Sequence, residues 1–406
     1  MPSLLKLLIA GLIITFSGTL PGAQAQTQMT LAPSKLRILV PLEASAPFDH
    51  ALTEIVKDFN SSHSKFVVEV IKGGSSFQSL RAIIADHYAN DLPDLALINN
   101  ADLPTLEALN IVQPLPAAWV AAKKLSPALA LGNKCHGEPC SLPFQRRVPV
   151  WFYNRELLFK LNQETDHIPT SWAKLSTLSQ RLYKQGELWG VAIPETGDGA
   201  IVRWTALGLS ASITPENLTD WVLRLWESPG VWLPGNPSAE EATRLFLEQR
   251  AVILLGTLDQ APFLKSNASF RIGSALPDGD LSWFGTDFVV LSKGPGSALA
   301  REFLDYLYKP EVSLNLFKAA STLPVTKAQS DSPLWKKEME GWPLLKQVMA
   351  RKLKALGLDK IAPQSREELA STVWEAVEQV PELAQRQSKL SELKTRLQKK
   401  LSTNSH

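Results

Sequence analysis

Two rhythms of apolar residues alternate along the first hundred positions. Leu36 to Val40 is a short apolar run, and the set Phe48, Leu52, Ile55, Val56 and Phe59 then falls at helical spacing. Phe66 to Ile71 is rich in β-branched residues and predicts a second strand. Leu80, Ile83 and Ile84 mark a helix, and Asp94 to Ile98 predicts a third strand. A β-α-β-α-β order implies a parallel sheet with helices on both faces, because parallel neighbours need long crossovers. In such sheets ligands sit beyond the carboxyl ends of the strands. That singles out Glu43 after the first strand, Ser75, Ser76 and Phe77 after the second, and Asn99 with Asn100 after the third.

The alternation begins again at Val148 to Tyr153. Thr170-Ser171 predicts a cap for a helix starting near Trp172, Leu188 to Ile193 a strand, and Thr214-Pro215 a helix start. Ser238 with Glu241 forms a capping box before the next helix. Strands are expected at Ala251 to Leu255, Arg271 to Ala275 and Phe288 to Leu291. Ser297 predicts the cap of a helix running to Tyr308, and Pro310 permits another. The last ~70 residues read as helical, with a further capping box at Ser365 and Glu368.

The N-terminal end differs from all of this. One charge, Lys6, precedes the apolar run Leu7 to Phe16, then Gly18, Pro21 and Gly22, then the small triplet Ala23-Gln24-Ala25. This is the layout of a cleaved secretory signal peptide, residues 1–25, and the run is about half of the ~20 residues a membrane-spanning helix needs. A periplasmic, soluble mature protein is expected. The ~380 residues that remain suit two lobes. Removing Lys6 from the 42 basic residues leaves them almost balanced by 40 acidic ones, so no global field favours nucleic acid or an acidic membrane. The basic tail from Lys389 to Lys400 reads as a solvated helix face.

The two cysteines, Cys135 and Cys140, flank Gly137 and Pro139, and in an oxidising compartment they predict a local disulfide tying a hairpin. A metal site would need ligands beyond His136. The six histidines are scattered, and neither a nucleophile elbow, a zincin helix nor a phosphate-binding loop is written in the chain. The expectation is a protein without catalytic residues, metal or other cofactor.

Several segments in a fixed order resemble family 1 extracellular solute-binding proteins of ABC importers, and within them most closely the periplasmic glycerol 3-phosphate binding group. They are Leu92-Pro93-Asp94-Leu95, Ser141-Leu142-Pro143-Phe144, Val148 to Asn154, Pro169-Thr170-Ser171-Trp172, Phe246 to Val252, Phe303 to Leu307 with Lys309-Pro310-Glu311, and Leu323 to Lys327. The resemblance implies an α/β fold of two lobes, a type II binding protein with a hinge and a central cleft. It implies chain crossings near Arg147-Val148, near Arg271 to Ala275 and after Lys318. The lobes would then be 26–147 plus 276–318, and 148–275 plus 319–402. It also implies a monomer that delivers a small solute to a membrane permease. A binding module that signals to a membrane sensor and an exported hydrolase are the alternatives.

At the ligand-side positions the chain departs from that group. Gln145-Arg146-Arg147 replaces a segment rich in Ser and Thr. Phe77 stands in place of a tyrosine, Asn100 of an acidic residue, Thr322 of an aromatic. Trp283-Phe284-Gly285 stands in place of a Gly-Gly pair, Thr257 falls near a small-hydroxyl segment, and Arg366 matches. Arg146 and Arg147 suit a phosphate or carboxylate through bidentate hydrogen bonds, and equally an ion pair across the lobes. Trp204, Trp232 and Trp283 suit a sugar ring by stacking, and equally core packing. A carbohydrate or a phosphorylated polyol is the expected ligand.

Overall fold

A computed structural model describes residues 34–41, 46–63, 66–74, 76–130, 134–193, 228–232, 239–291, 295–320 and 323–356, with the isolated positions 224, 392, 395, 396 and 399. The signal-peptide segment, the helix expected at Thr214-Pro215, Ser238, and the Ser365/Glu368 box lie outside the described residues.

The first lobe is built as its apolar rhythm requires. Strand β1 (Ser34–Val40) pairs in parallel with β2 (Phe66–Lys72) and with β3 (Leu95–Asn99), and helices α1 (Ala46–Ser62) and α2 (Ser76–Ala89) make the crossovers. Phe48, Leu52, Ile55, Val56 and Phe59 of α1 are all buried in one core, each side chain stabilising the lobe by roughly 1.5–3 kcal/mol before entropy is counted. A 3₁₀ turn (Asn100–Asp102) and two short helices, α3 (Leu103–Ala108) and α4 (Ala117–Ala122), lead to a hairpin of β4 (Lys134–Cys135) and β5 (Glu138–Pro139). Cys135 and Cys140 are joined by a disulfide across it. His136 and Gly137 both take positive φ, +47° and +87°, which is the backbone a two-residue hairpin turn demands. Closing so short a loop contributes about 2 kcal/mol on a chain-entropy basis.

Strand β6 (Ser141–Arg147) returns to the first sheet, and the next residue passes to the second. There β7 (Pro149–Asn154) lies between β11 (Ile272–Ala275) and β10 (Ala251–Thr257), antiparallel to both. Beyond β10 lie β8 (Trp189–Ala192) and β9 (Val231–Trp232), in parallel, giving the order β11-β7-β10-β8-β9. Helices α5 (Arg155–Lys160), α6 (Trp172–Leu182), α7 (Ala239–Leu247) and α8 (Ala261–Asn267) belong to this lobe. From β11 the chain crosses back to β12 (Leu281–Val290), which pairs antiparallel with both β3 and β6.

Three expectations are corrected here. The helix placed after Ser297 begins three residues earlier: α9 spans Pro295–Leu307, and Pro295, with its fixed φ, occupies the first helical position. The third crossing, expected after Lys318, does not occur in the described chain. Helices α10 (Pro310–Ala320), α11 (Lys327–Asp331), α12 (Pro333–Glu340) and α13 (Pro343–Met349) lead to β13 (Leu353–Ala355), which pairs with β12 of the first sheet. Ser126 N also donates to Val325 O at 2.8 Å, so residues 323–356 are tied to the first lobe. Last, β13 is a strand inside the tail read as helical.

Gly285 shows how closely β6 and β12 approach. A Cβ at that position would lie 1.9 Å from the Gln145 carbonyl oxygen, a backbone atom that cannot step aside. Gly285→Ala should therefore destabilise the protein by about 3 kcal/mol, as overpacking does when no side chain can yield. Urea unfolding of the variant beside the parent checks this, and an unchanged midpoint would contradict it.

Candidate functional site in the cleft between the sheets

Contacts among the described residues join the carboxyl end of β3 to the carboxyl end of β10. Asn99 closes β3, and its Oδ1 accepts from Ala101 N at 3.1 Å, capping the 3₁₀ turn. The next side chain, Asn100, accepts from Gly285 N at 3.2 Å. In the β6–β12 ladder Gly285 stands opposite Arg146 and Phe284 opposite Arg147. Val148 O then accepts from Leu258 N at 2.9 Å, one residue beyond Thr257 at the end of β10. Strand ends from both lobes and the chain crossing between them thus form one continuous patch. Such ends, where backbone groups finish pairing, are where ligands of open α/β sheets bind.

The two arginines do different things. Successive residues of a strand point to opposite faces, and Arg146 points inward: it is 1 % exposed. Its Nε donates to Leu129 O and its Nη1 to Gln145 O and Thr286 O, all at 2.9 Å. Nη2 lies 2.7 Å from Asp287 Oδ1, an ion contact whose angle falls outside hydrogen-bond geometry. The other Asp287 oxygen accepts from Ser141 Oγ at 2.7 Å. The guanidinium also lies over the Trp283 ring, 4.2 Å from its centroid. Trp283 is itself fully buried and donates Nε1–H to Ala128 O at 2.8 Å. The expectation that Arg146 faces an anionic ligand and Trp283 a sugar ring is corrected. A carboxylate buried at Asp287 requires a cation beside it, and the indole covers that cation. Nearby, burial raises the Tyr308 hydroxyl well above the usual phenol range, with Asp287 adding to the rise and Arg146 opposing it. That hydroxyl donates to Pro143 O.

Arg147 takes the other face. Its side chain is part-exposed, and its Nε lies 3.7 Å from Oδ2 of Asp259, in the 3₁₀ turn (Leu258–Gln260) that follows β10. The pair spans the lobes, the alternative that the sequence left open. Beside it, Thr286 Oγ1 donates to Gln145 Oε1 at 3.4 Å, and Thr257 N donates to Gln260 Oε1 at 3.0 Å. Asp259 was not singled out from the sequence, and Gln145 was named only as part of the segment Gln145-Arg146-Arg147. The rule that selected Asn99 and Asn100, attention to the residues beyond the carboxyl end of a buried strand, also reaches Asp259, two residues past Ala251–Thr257.

Other candidates fall differently. Gly285 is set by the strand approach described above. Ser76 and Phe77 lie in the first turn of α2 and Trp232 ends β9, with only their backbone described. Glu43, Ser75, Trp204, Thr322 and Arg366 lie outside the described residues. A separate concavity of about 420 Å³ lies away from these strand ends, between Tyr153, Thr170 and Ser274 of the second lobe and Gln347 of α13 with Arg351 just beyond it. Among the described residues no cluster of His, Cys, Asp and Glu is placed to hold a metal ion, and no helix is long and apolar enough to cross a membrane.

Residues 54–341 match the family model of the bacterial extracellular solute-binding proteins. The chain belongs to that family. Among curated relatives, this solute-binding protein is 22 % identical over 143 residues to the sn-glycerol-3-phosphate-binding periplasmic protein UgpB of Rhizobium meliloti. That match covers 33 % of each chain, so it spans about a third of the relative's length. Among solved structures, it is similar to UgpB of Mycobacterium tuberculosis in complex with glycerophosphocholine, with a TM-score of 0.70 and 14 % identity, over 91 % of this chain and 98 % of that one. It is likewise similar to the GacH receptor of Streptomyces glaucescens, solved unliganded and with acarbose, at a TM-score of 0.69 and 14 % identity over 91 % and 99 %. At such identity the likeness establishes a shared two-lobed fold.

The buried ion pair makes a prediction of its own. Asp287→Ala leaves the Arg146 cation without a counter-charge in the core, and should cost about 3–5 kcal/mol. Denaturant unfolding measures it, and a loss below 1 kcal/mol would contradict the placement of the pair.

Proposed function

We propose that this solute-binding protein captures a small carbohydrate or a phosphorylated polyol between its lobes and delivers it to the membrane permease of an ABC importer. It acts as a monomer in the periplasm, after removal of residues 1–25, and carries no catalytic role. The observation that carries this reading is the continuity of the strand-end patch with the crossing from Arg147 to Val148. A solute resting there touches both lobes at once. Contacts it makes with both are complete only when the lobes come together, so binding shifts the population toward a closed form that a permease can distinguish. Glycerophosphocholine and acarbose in the two structural relatives support the ligand classes.

The site offers little net charge of its own, since Arg147 is paired. Affinity must come from shape, hydrogen bonds and whatever aromatic faces line the cleft. Trp204 and Trp232 remain the proposed stacking residues, with Asn100 and Thr257 as proposed polar contacts and Arg366 as a proposed anion contact.

The test is a thermal-unfolding screen of the mature protein, refolded to remove carried-over solute, against neutral sugars, sugar phosphates and glycerophosphodiesters. A ligand at ~100 times its dissociation constant stabilises by about 2.7 kcal/mol. The expected outcome is a rise of a few degrees in the midpoint with one chemical class. A cooperative transition that no member of the panel moves would contradict solute capture.

A further inference from the structure

Asp259 carries more than its partnership with Arg147. Its Oδ2 faces the Arg147 Nε at 3.7 Å, while its Oδ1 is shielded from solvent and accepts no hydrogen bond. Buried carboxylate oxygens ordinarily have donors, and an orphaned one marks a place where a donor belongs. The two side chains come from different lobes: Arg147 is the last residue of β6, and Asp259 sits two residues past β10. A solute entering when the lobes part therefore meets both, and closure seals them around it.

The chemistry of that donor is constrained from two sides. A hydroxyl both donates and accepts, so one sugar hydroxyl can accept from the Arg147 guanidinium while giving its proton to Asp259 Oδ1. A phosphate offers oxygens that accept, and brings negative charge close to a carboxylate that already neutralises the arginine. We infer that Arg147 and Asp259 form a hydroxyl-reading subsite, so that a neutral polyhydroxylated carbohydrate is preferred over a phosphorylated polyol, with Asp259 as the specificity-determining residue. This rests on the proposed solute capture and narrows its ligand class.

The experiment is isothermal titration of the mature protein and its Asp259→Ala and Asp259→Asn variants with maltose, D-tagatose, sn-glycerol 3-phosphate and glycerophosphocholine. The far-UV spectrum and the unfolding midpoint of each variant establish that it is folded. The expected result is parent binding to a neutral sugar that weakens at least tenfold in Asp259→Ala. Asp259→Asn, which keeps an acceptor and removes the charge, should lose less for the sugar and gain affinity for the phosphorylated probes. Sugar binding unmoved in both variants overturns the subsite and leaves solute capture standing, as does a parent that binds only the phosphorylated probes. A parent that binds none of the four overturns the subsite and counts against solute capture as well.

Discussion

Four consecutive residues, Gln145-Arg146-Arg147-Val148, have to serve two sheets, and the rest of the molecule is arranged around that demand. Strand alternation sends Arg146 into the core of the first lobe and Arg147 to the cleft, and Val148 already belongs to the second lobe through its bond from Leu258 N. The inward arginine is tolerable only because Asp287, two backbone carbonyls of the adjoining strands, Leu129 O and the Trp283 face surround it. A buried pair of this kind is weak evidence of net stability, since an apolar replacement of equal volume can do as well. Its effect is positional. It holds the end of β6 against β12 at one register, with Phe144 as the extra residue where the ladder shifts between Thr286 and Asp287.

From that anchoring the cleft follows. Gly285 lets the strands approach, Asn100 reaches across to Gly285 N, and the crossing places Arg147 opposite Asp259. A part-exposed ion pair at 3.7 Å contributes little to stability. One whose partners lie on separate lobes is better suited to sensing their separation. The chain passes directly from β6 of the first sheet to β7 of the second at Val148, which on the proposed function is where the lobes would turn.

Much of this was legible in the chain. The helical stripe of α1 and the strands β1, β2, β3, β7, β10 and β11 follow from apolar spacing, and the Cys135–Cys140 pairing from the intervening Gly and Pro. Where reading failed, the cause is tertiary. Strand β12 was recognised only over its last residues, because Ser282, Gly285 and Asp287 interrupt the apolar run, and Gly285 and Asp287 answer to Gln145 and Arg146, far away in sequence. The three residues of β13 carry no signal until β12 is beside them. Arg146 looked like a ligand contact because strand phase, which decides inward from outward, shifts at the bulge. The buried acid Asp287 was the available clue: a carboxylate inside an apolar strand asks for a cation, and Arg146 or Arg147 had to supply it.

The central claim is that solute capture and lobe movement about the Arg147-Val148 crossing are one event. Small-angle scattering of the mature protein, alone and saturated with whichever solute raises its unfolding midpoint, tests this directly. The account predicts a fall in the radius of gyration on saturation and no change with a non-binding sugar. An identical radius in the free and saturated protein would show binding without closure and would contradict it.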